Sequence, residues 1–161
     1  MPDIDRLWAP WRSGFVSVRR PRRCIFCTAS ASRKDRQHHV VARSRHVFCL
    51  LNRYPYNNGH LILAPYRHVG RFEALRSEEW LDLFGLSEQL MRRLRRGLHP
   101  DGFNLGINLG KTAGAGVPGH LHLHIVPRWT GDTNFMPILG KTKVIPQSLD
   151  ALYALLTPSR R

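Results

Sequence analysis

The chain has 161 residues, 42% of them hydrophobic, and a formal net charge of +14 at pH 7. That size and balance describe one globular domain able to bury a core, and no apolar run approaches the length of a membrane span. The opening MPDIDRLWAP lacks the apolar centre of a secretion signal, and three cysteines (Cys24, Cys27 and Cys49) are too few for a disulfide framework, so a reducing, cytoplasmic setting is expected.

Residues 1–23 mix aromatic and basic side chains with prolines, and are expected to form an irregular arm beside a single domain over 24–161. The polar ASASRKDRQHH that follows the cysteine pair reads as a loop. HVFCLLN (46–52) and HLILAP (60–65) read as two strands of a hairpin joined by RYPYNNG. From Ser77, a candidate N-cap followed by Glu78 and Glu79, the residues Trp80, Leu83, Phe84, Leu90, Met91 and Leu94 recur at helical spacing up to Gly97. That stripe is expected to be core. In FNLGINLG (103–110) four apolar residues alternate with Asn104, Gly106, Asn108 and Gly110, the pattern of a strand with one small, polar face. Near the end, Ser148 can cap a short helix that turns Leu149, Leu152 and Leu156 inward.

The chemistry concentrates in GHLHLHIVPRW, where His120, His122 and His124 alternate with Leu121, Leu123 and Ile125. A strand sends alternate side chains to opposite faces, so the imidazoles would share one face and the aliphatic groups the other. A metal cluster or a solvated basic strand is the plainer explanation of such a run. Directly before it, KTAGAGVPG is a glycine-rich loop able to turn backbone amides toward an anion, with Gly116, Val117 and Gly119 as donors, because Pro118 has no N–H. The Cys24-Ile25-Phe26-Cys27 pair is metal-binding, redox-active or incidental on its own terms, since two thiolates need two further ligands for a closed tetrahedral zinc site. The positive charge suggests a phosphate-rich partner. Arginine clusters at 19–23 and 92–96 also suit a solvated surface and a helix C-terminus.

HLHLHIV resembles the signature of the histidine triad (HIT) family of nucleotide hydrolases and transferases, and the resemblance runs from Cys24 to about Gln147. LLNRYPYNNGHLILAPYRH, GINLGKTAGAGVPGHLHLHIVPRW and KTKVIPQSL are most similar to a bacterial branch containing diadenosine tetraphosphate phosphorylases and hydrolases. The resemblance implies an α+β fold with an antiparallel sheet of about five strands, a main helix and a C-terminal helix, paired as a homodimer. It assigns the nucleophile to His122 and donors around the phosphate to His124, Asn108 and the amides of Gly116 and Val117. Asn52 matches the position that holds ribose hydroxyls. Similar proteins complete a structural zinc site with His68 and His120 beside Cys24 and Cys27, with His60 as a competing ligand.

The implied reaction is cleavage of a dinucleoside polyphosphate at the α-phosphate through a nucleotidyl-histidine, by water or phosphate. Lys111 and Arg128 are the cations nearest in sequence to receive the phosphate. Val117 departs from the Ser or Thr that many members carry three residues before the first triad histidine. The alternatives are a nucleoside phosphoramidate hydrolase and, from a different class, a basic nucleic-acid-binding module. The last lacks an evident base-stacking platform, and neither nucleic acid nor membrane is the expected partner.

Overall fold

A computed structural model describes residues 23–133 and 145–157. The expected arm therefore lies outside the described residues, apart from Arg23. The chain forms a five-stranded antiparallel sheet in the order β1-β2-β3-β5-β4. Its strands are β1 (Val40–Arg43), β2 (Val47–Leu51), β3 (Leu61–Pro65), β4 (Gly102–Ile107) and β5 (Leu123–Arg128). The helices are α1 (Ile25–Ala31), the single-turn α2 (Asp35–His38), α3 (Ser77–Leu98) and α4 (Leu149–Leu156). This is the α+β architecture that the residue pattern and the family resemblance imply.

Strand alternation divides the sheet into two faces. Val47, Cys49, Leu51, Leu61, Leu63, Leu123 and Ile125 pack beneath α3, against Leu83, Leu86, Leu90 and Leu94, with Leu152 and Leu156 of α4 in the same core. On the other face Phe48, Ile62 and Ala64 pack against Phe26 and Ala29 of α1. In β3, Leu61 and Leu63 go to one face and Ile62 and Ala64 to the other, so the strand is apolar throughout because helices cover both sides. His124 is paired with Ile62 across the ladder. It therefore lies on the α1 face, while its neighbours Leu123 and Ile125 go under α3.

Several local expectations are revised. The polar stretch after the cysteines contains the end of α1 and all of α2 and leads into β1, rather than forming one loop. Arg76, not Ser77, is the N-cap of α3, and Glu79 Oε2 accepts from the Arg76 amide at 2.9 Å. Phe84 is 55% exposed and stacks on Trp80 instead of entering the core, which Leu86 and Ser87 join in its place. β4 ends at Ile107, so Asn108 lies just beyond the strand. In the tail, Ser148 Oγ does accept from the Ala151 amide at 3.2 Å, and Leu152 and Leu156 turn inward.

Candidate active site and metal centre

The three triad histidines are all buried. Only His124 lies within the paired strand; His120 and His122 precede the start of β5. The alternation still holds, with Leu121 packed on Val69 and Leu75, and Leu123 in the main core. Three imidazoles are thereby held on the side opposite the leucines, and each has one ring nitrogen bound to a different partner.

His120 Nε2 lies 2.9 Å from the carbonyl oxygen of Pro65. A carbonyl only accepts, so Nε2 carries the proton and Nδ1 presents its lone pair. Around that Nδ1 stand Cys24 Sγ at 3.4 Å, Cys27 Sγ at 3.6 Å and His68 Nδ1 at 3.2 Å, and Cys27 Sγ is 3.2 Å from His68 Nδ1. All four donor atoms lie within 4.8 Å of one another. Tetrahedral zinc, with bonds of ~2.0–2.3 Å, sets its ligand atoms ~3.3–3.8 Å apart. Two sulfurs and two imidazole nitrogens at these separations fit zinc in chemistry and in size. The carbonyl behind His120 supplies the outer partner that fixes a metal-bound imidazole. Burial pushes the Cys27 thiol above its ordinary pKa, the condition that a bound cation reverses.

Local structure explains how four ligands from three segments meet. Cys24 caps α1 and Cys27 sits one turn on, so both thiols emerge on one side of the helix start. His68 follows Arg67, whose Nε and Nη2 grip Glu79 Oε1 and Oε2 at 3.0 and 2.6 Å and tie the segment to α3. That pairing explains a buried glutamate, and the Arg67 guanidinium holds its carboxyl below the usual range. Gly70 has no side chain to keep the 66–70 segment off the backbone of Pro118 and Gly119.

His122 Nδ1 lies 2.8 Å from the carbonyl oxygen of His120, so it donates there and leaves Nε2 unprotonated. Burial lowers the His122 pKa from its ordinary value, favouring the neutral ring. The His122 and His124 rings are 5.0 Å apart between centroids, and Phe26 packs 4.9 Å from His122. His124, whose pKa burial pulls down to about 4, lines a cleft of about 360 Å³ with Tyr56, Asn57, Asn104, Gly106 and Asn108. The cleft runs along the β4–β5 ladder, where Gly106 faces His124 and Asn104 faces Val126. A small residue opposite His124 keeps that end open.

The other expected residues are placed as follows. Asn108 lines the cleft with His124. Gly116 is exposed, and Val117 is half-buried against the α1 cluster. Asn52 is half-buried; its Oδ1 accepts from the Tyr54 amide at 3.0 Å and its Nδ2 donates to His60 Nδ1 at 3.1 Å. His60 is 1% exposed and stands beside His124, with Nε2 2.9 Å from His124 Nδ1, away from the cysteine cluster. Arg128 binds Asp132 through Nε and Nη2 at 2.6 and 2.8 Å and Asn104 Oδ1 through Nη1 at 2.7 Å. Its charge is compensated in place, which removes it as a free cation for phosphate. Asp132 also receives Asn57 Nδ2 at 2.8 Å, so the network braces the cleft wall. Nothing in the residue spacing exposes this network, because its members come from three separate segments.

The sheet thus brings together an imidazole lone pair, a second imidazole and an open polar cleft, beside a two-cysteine, two-histidine cluster, in an α+β fold. The family model described as HIT domain matches residues 33–131, and the chain belongs to the HIT family. It is 40% identical over 154 residues to the AP-4-A phosphorylase of Mycobacterium tuberculosis strain H37Rv, covering 91% of this chain and 79% of that protein. It is 33% identical over 93 residues to a bis(5'-adenosyl)-triphosphatase of Dictyostelium discoideum, covering 58% and 62%. A Zn-bound histidine triad family protein from Mycobacterium smegmatis has a similar structure, with a TM-score of 0.67 and 27% identity, covering 83% of this chain and 89% of that one. With such relatives the chain is a nucleotide-processing enzyme of the HIT family.

Proposed function

We propose that this enzyme cleaves dinucleoside polyphosphates, such as diadenosine tetraphosphate, at an α-phosphate through a nucleotidyl-histidine on His122. The observation that carries the reading is the hydrogen bond from His122 Nδ1 to the His120 carbonyl, which leaves Nε2 as a lone pair in a ring kept neutral by burial. That nitrogen attacks the α-phosphorus in line, forming an N–P bond as the bridging P–O bond breaks and releases ATP from diadenosine tetraphosphate. An acceptor oxygen then attacks the same phosphorus and the N–P bond breaks, returning His122. Phosphate as acceptor gives ADP; water gives AMP. The 40% identity to an AP-4-A phosphorylase favours phosphate.

In this reading His124 and Asn108, which line the cleft, donate to the phosphate, and the amides of Gly116 and Val117 complete the donor set. Asn52 Oδ1 keeps a second lone pair for a ribose hydroxyl. Zinc held by Cys24, Cys27, His68 and His120 would be structural, clamping α1 and the His68 segment onto the start of β5. A homodimer is supported by β4, an edge strand that leaves Leu105 43% and nearby Leu109 48% exposed. Three unpaired thiols favour the cytoplasm, and no helix among the described residues is long and apolar enough to cross a membrane.

The nucleic-acid reading rests on charge alone, and three arginines of the 92–96 cluster have partners of their own. Arg92 pairs with Glu88, Arg93 donates to the Leu156 carbonyl, and Arg95 lies over the Phe103 ring. Chromatographic product analysis tests the proposal. Diadenosine tetraphosphate with millimolar phosphate should yield ADP and ATP. AMP and ATP without ADP would make the enzyme a hydrolase, and turnover of phosphoramidates alone would overturn the substrate assignment.

A further inference from the structure

His60 takes no part in the zinc cluster and has no role in the reaction as written, yet it is buried against His124 and hydrogen-bonded at both ring nitrogens. We propose that His60 is a positioning residue that fixes the tautomer of His124, so that His124 meets the substrate as an N–H donor. The inference rests on the dinucleoside polyphosphate reading for what the donor meets, but the proton assignment follows from contacts alone.

The backbone amide of Tyr56 lies 3.0 Å from His60 Nδ1 and can only donate. Asn52 sends a second donor to the same atom, and its orientation is set because its oxygen already accepts from the Tyr54 amide. Two N–H groups converging on Nδ1 make that atom an acceptor. The neutral His60 ring therefore carries its proton on Nε2 and donates it to His124 Nδ1 at 2.9 Å. His124 Nδ1 is then an acceptor in its turn, and the remaining proton sits on His124 Nε2.

That Nε2 is buried and has no hydrogen-bond partner among the described residues, while its ring lines the cleft beside Gly106 and Asn108. A buried N–H without a partner is unfavourable, and a non-bridging phosphoryl oxygen or the bridging oxygen of the leaving group would satisfy it. Loss of the His60 donor frees His124 to place its proton on Nδ1. Its Nε2 lone pair would then face the phosphoryl oxygens, an acceptor against an acceptor. The relay thus runs from the 52–56 turn through His60 to the reacting group, and the turn that joins β2 to β3 acquires a chemical task.

The test combines a proton assignment with kinetics. Long-range ¹⁵N–¹H correlation spectra of the ¹⁵N-labelled wild type should show His124 protonated on Nε2 and His60 likewise. In His60→Leu, kcat should fall about 10²-fold with KM little changed, the scale expected when an oriented donor is lost. His60→Gln, whose amide NH₂ reaches the place of Nε2, should stay within about tenfold of wild type. A wild-type spectrum with the His124 proton on Nδ1 would overturn the proposal, as would a folded His60→Leu with undiminished kcat or a folded His60→Gln as impaired as His60→Leu. The wild-type spectrum stands even if no variant folds. Failure of wild type to turn over dinucleoside polyphosphates would instead sink the functional reading and leave the tautomer result intact.

Discussion

Replacing Gly70 with alanine tests whether close backbone contact assembles the Cys24, Cys27, His68 and His120 cluster proposed to hold zinc. A Cβ at Gly70 would stand 2.9 Å from the Pro118 carbonyl oxygen, 3.0 Å from the Gly119 carbonyl carbon and 3.1 Å from Gly119 Cα. All three are backbone atoms, so no rotamer change relieves the overlap and the 66–70 segment must move away from 118–120. Those segments carry His68 and His120, whose Nδ1 atoms are 3.2 Å apart. Overpacking of this kind costs about 1–3 kcal/mol. Gly70 is not in the left-handed region, so alanine returns about 0.4–1 kcal/mol by restricting the unfolded chain. A net loss near 1.5 kcal/mol corresponds to a Tm drop of roughly 3–6 °C at this chain length. Borne by the metal site, it corresponds to about tenfold weaker zinc binding. Scanning calorimetry and competition with a chromophoric chelator read the two quantities. Gly85→Ala is the control: it lies within α3 with nothing within 4 Å of its Cβ, and should raise Tm while leaving zinc untouched. Unchanged Tm and zinc affinity in Gly70→Ala would refute the reasoning.

His122→Ala should lower turnover by on the order of 10⁴ or more while nucleotide binding persists, and a variant keeping a tenth of wild-type rate would remove His122 as nucleophile. Cys27→Ser should release zinc and lower Tm, because a folded-state metal site is folding free energy; metal analysis of protein never exposed to chelator should find one zinc per chain before the change. Burial lowers His60 to a pKa of about 3, so its stabilising contribution is complete above pH 6.5 and is lost as pH falls toward 3. Unfolding at pH 5 should therefore be easier by about 2 kcal/mol than at pH 6.5 from this group, and His60→Gln should flatten that part of the stability profile in urea titrations.

Alternation in 103–110 was enough to read a strand with one small polar face, alternation in 120–125 was enough to set the imidazoles opposite the aliphatic side chains, and helical spacing was enough to find α3. What the residues did not disclose follows from packing or from short elements. The seven-residue α1 has no side-chain cap and no acidic residue in its first turn, so its helicity depends on Phe26 and Ala29 packing on β2 and β3. Phe84 fits the helical stripe by spacing, but it falls at the edge, where Phe72 and Trp80 offer an aromatic stack instead of the core. The cluster of Cys24, Cys27, His68 and His120 was readable only through resemblance to relatives, because its members span 96 positions between the first and last.

One residue type repeated at every second position comes to hold three states because each ring meets a different acceptor or donor. His120 gives its Nε2 proton to the Pro65 carbonyl and turns Nδ1 toward the thiols. His122 gives its Nδ1 proton to the carbonyl of His120 and keeps Nε2 as a lone pair. His124 meets His60 at Nδ1 and has Nε2 left over at the cleft. Two of these partners are backbone carbonyls whose positions depend on the sheet register and the turn before it, so substituting either residue's side chain would not abolish them. The third partner is a side chain, and it is the one that mutation can remove. The three rings therefore differ in how each can be disturbed: His120 and His122 through the local backbone, His124 through His60 and the turn that holds it.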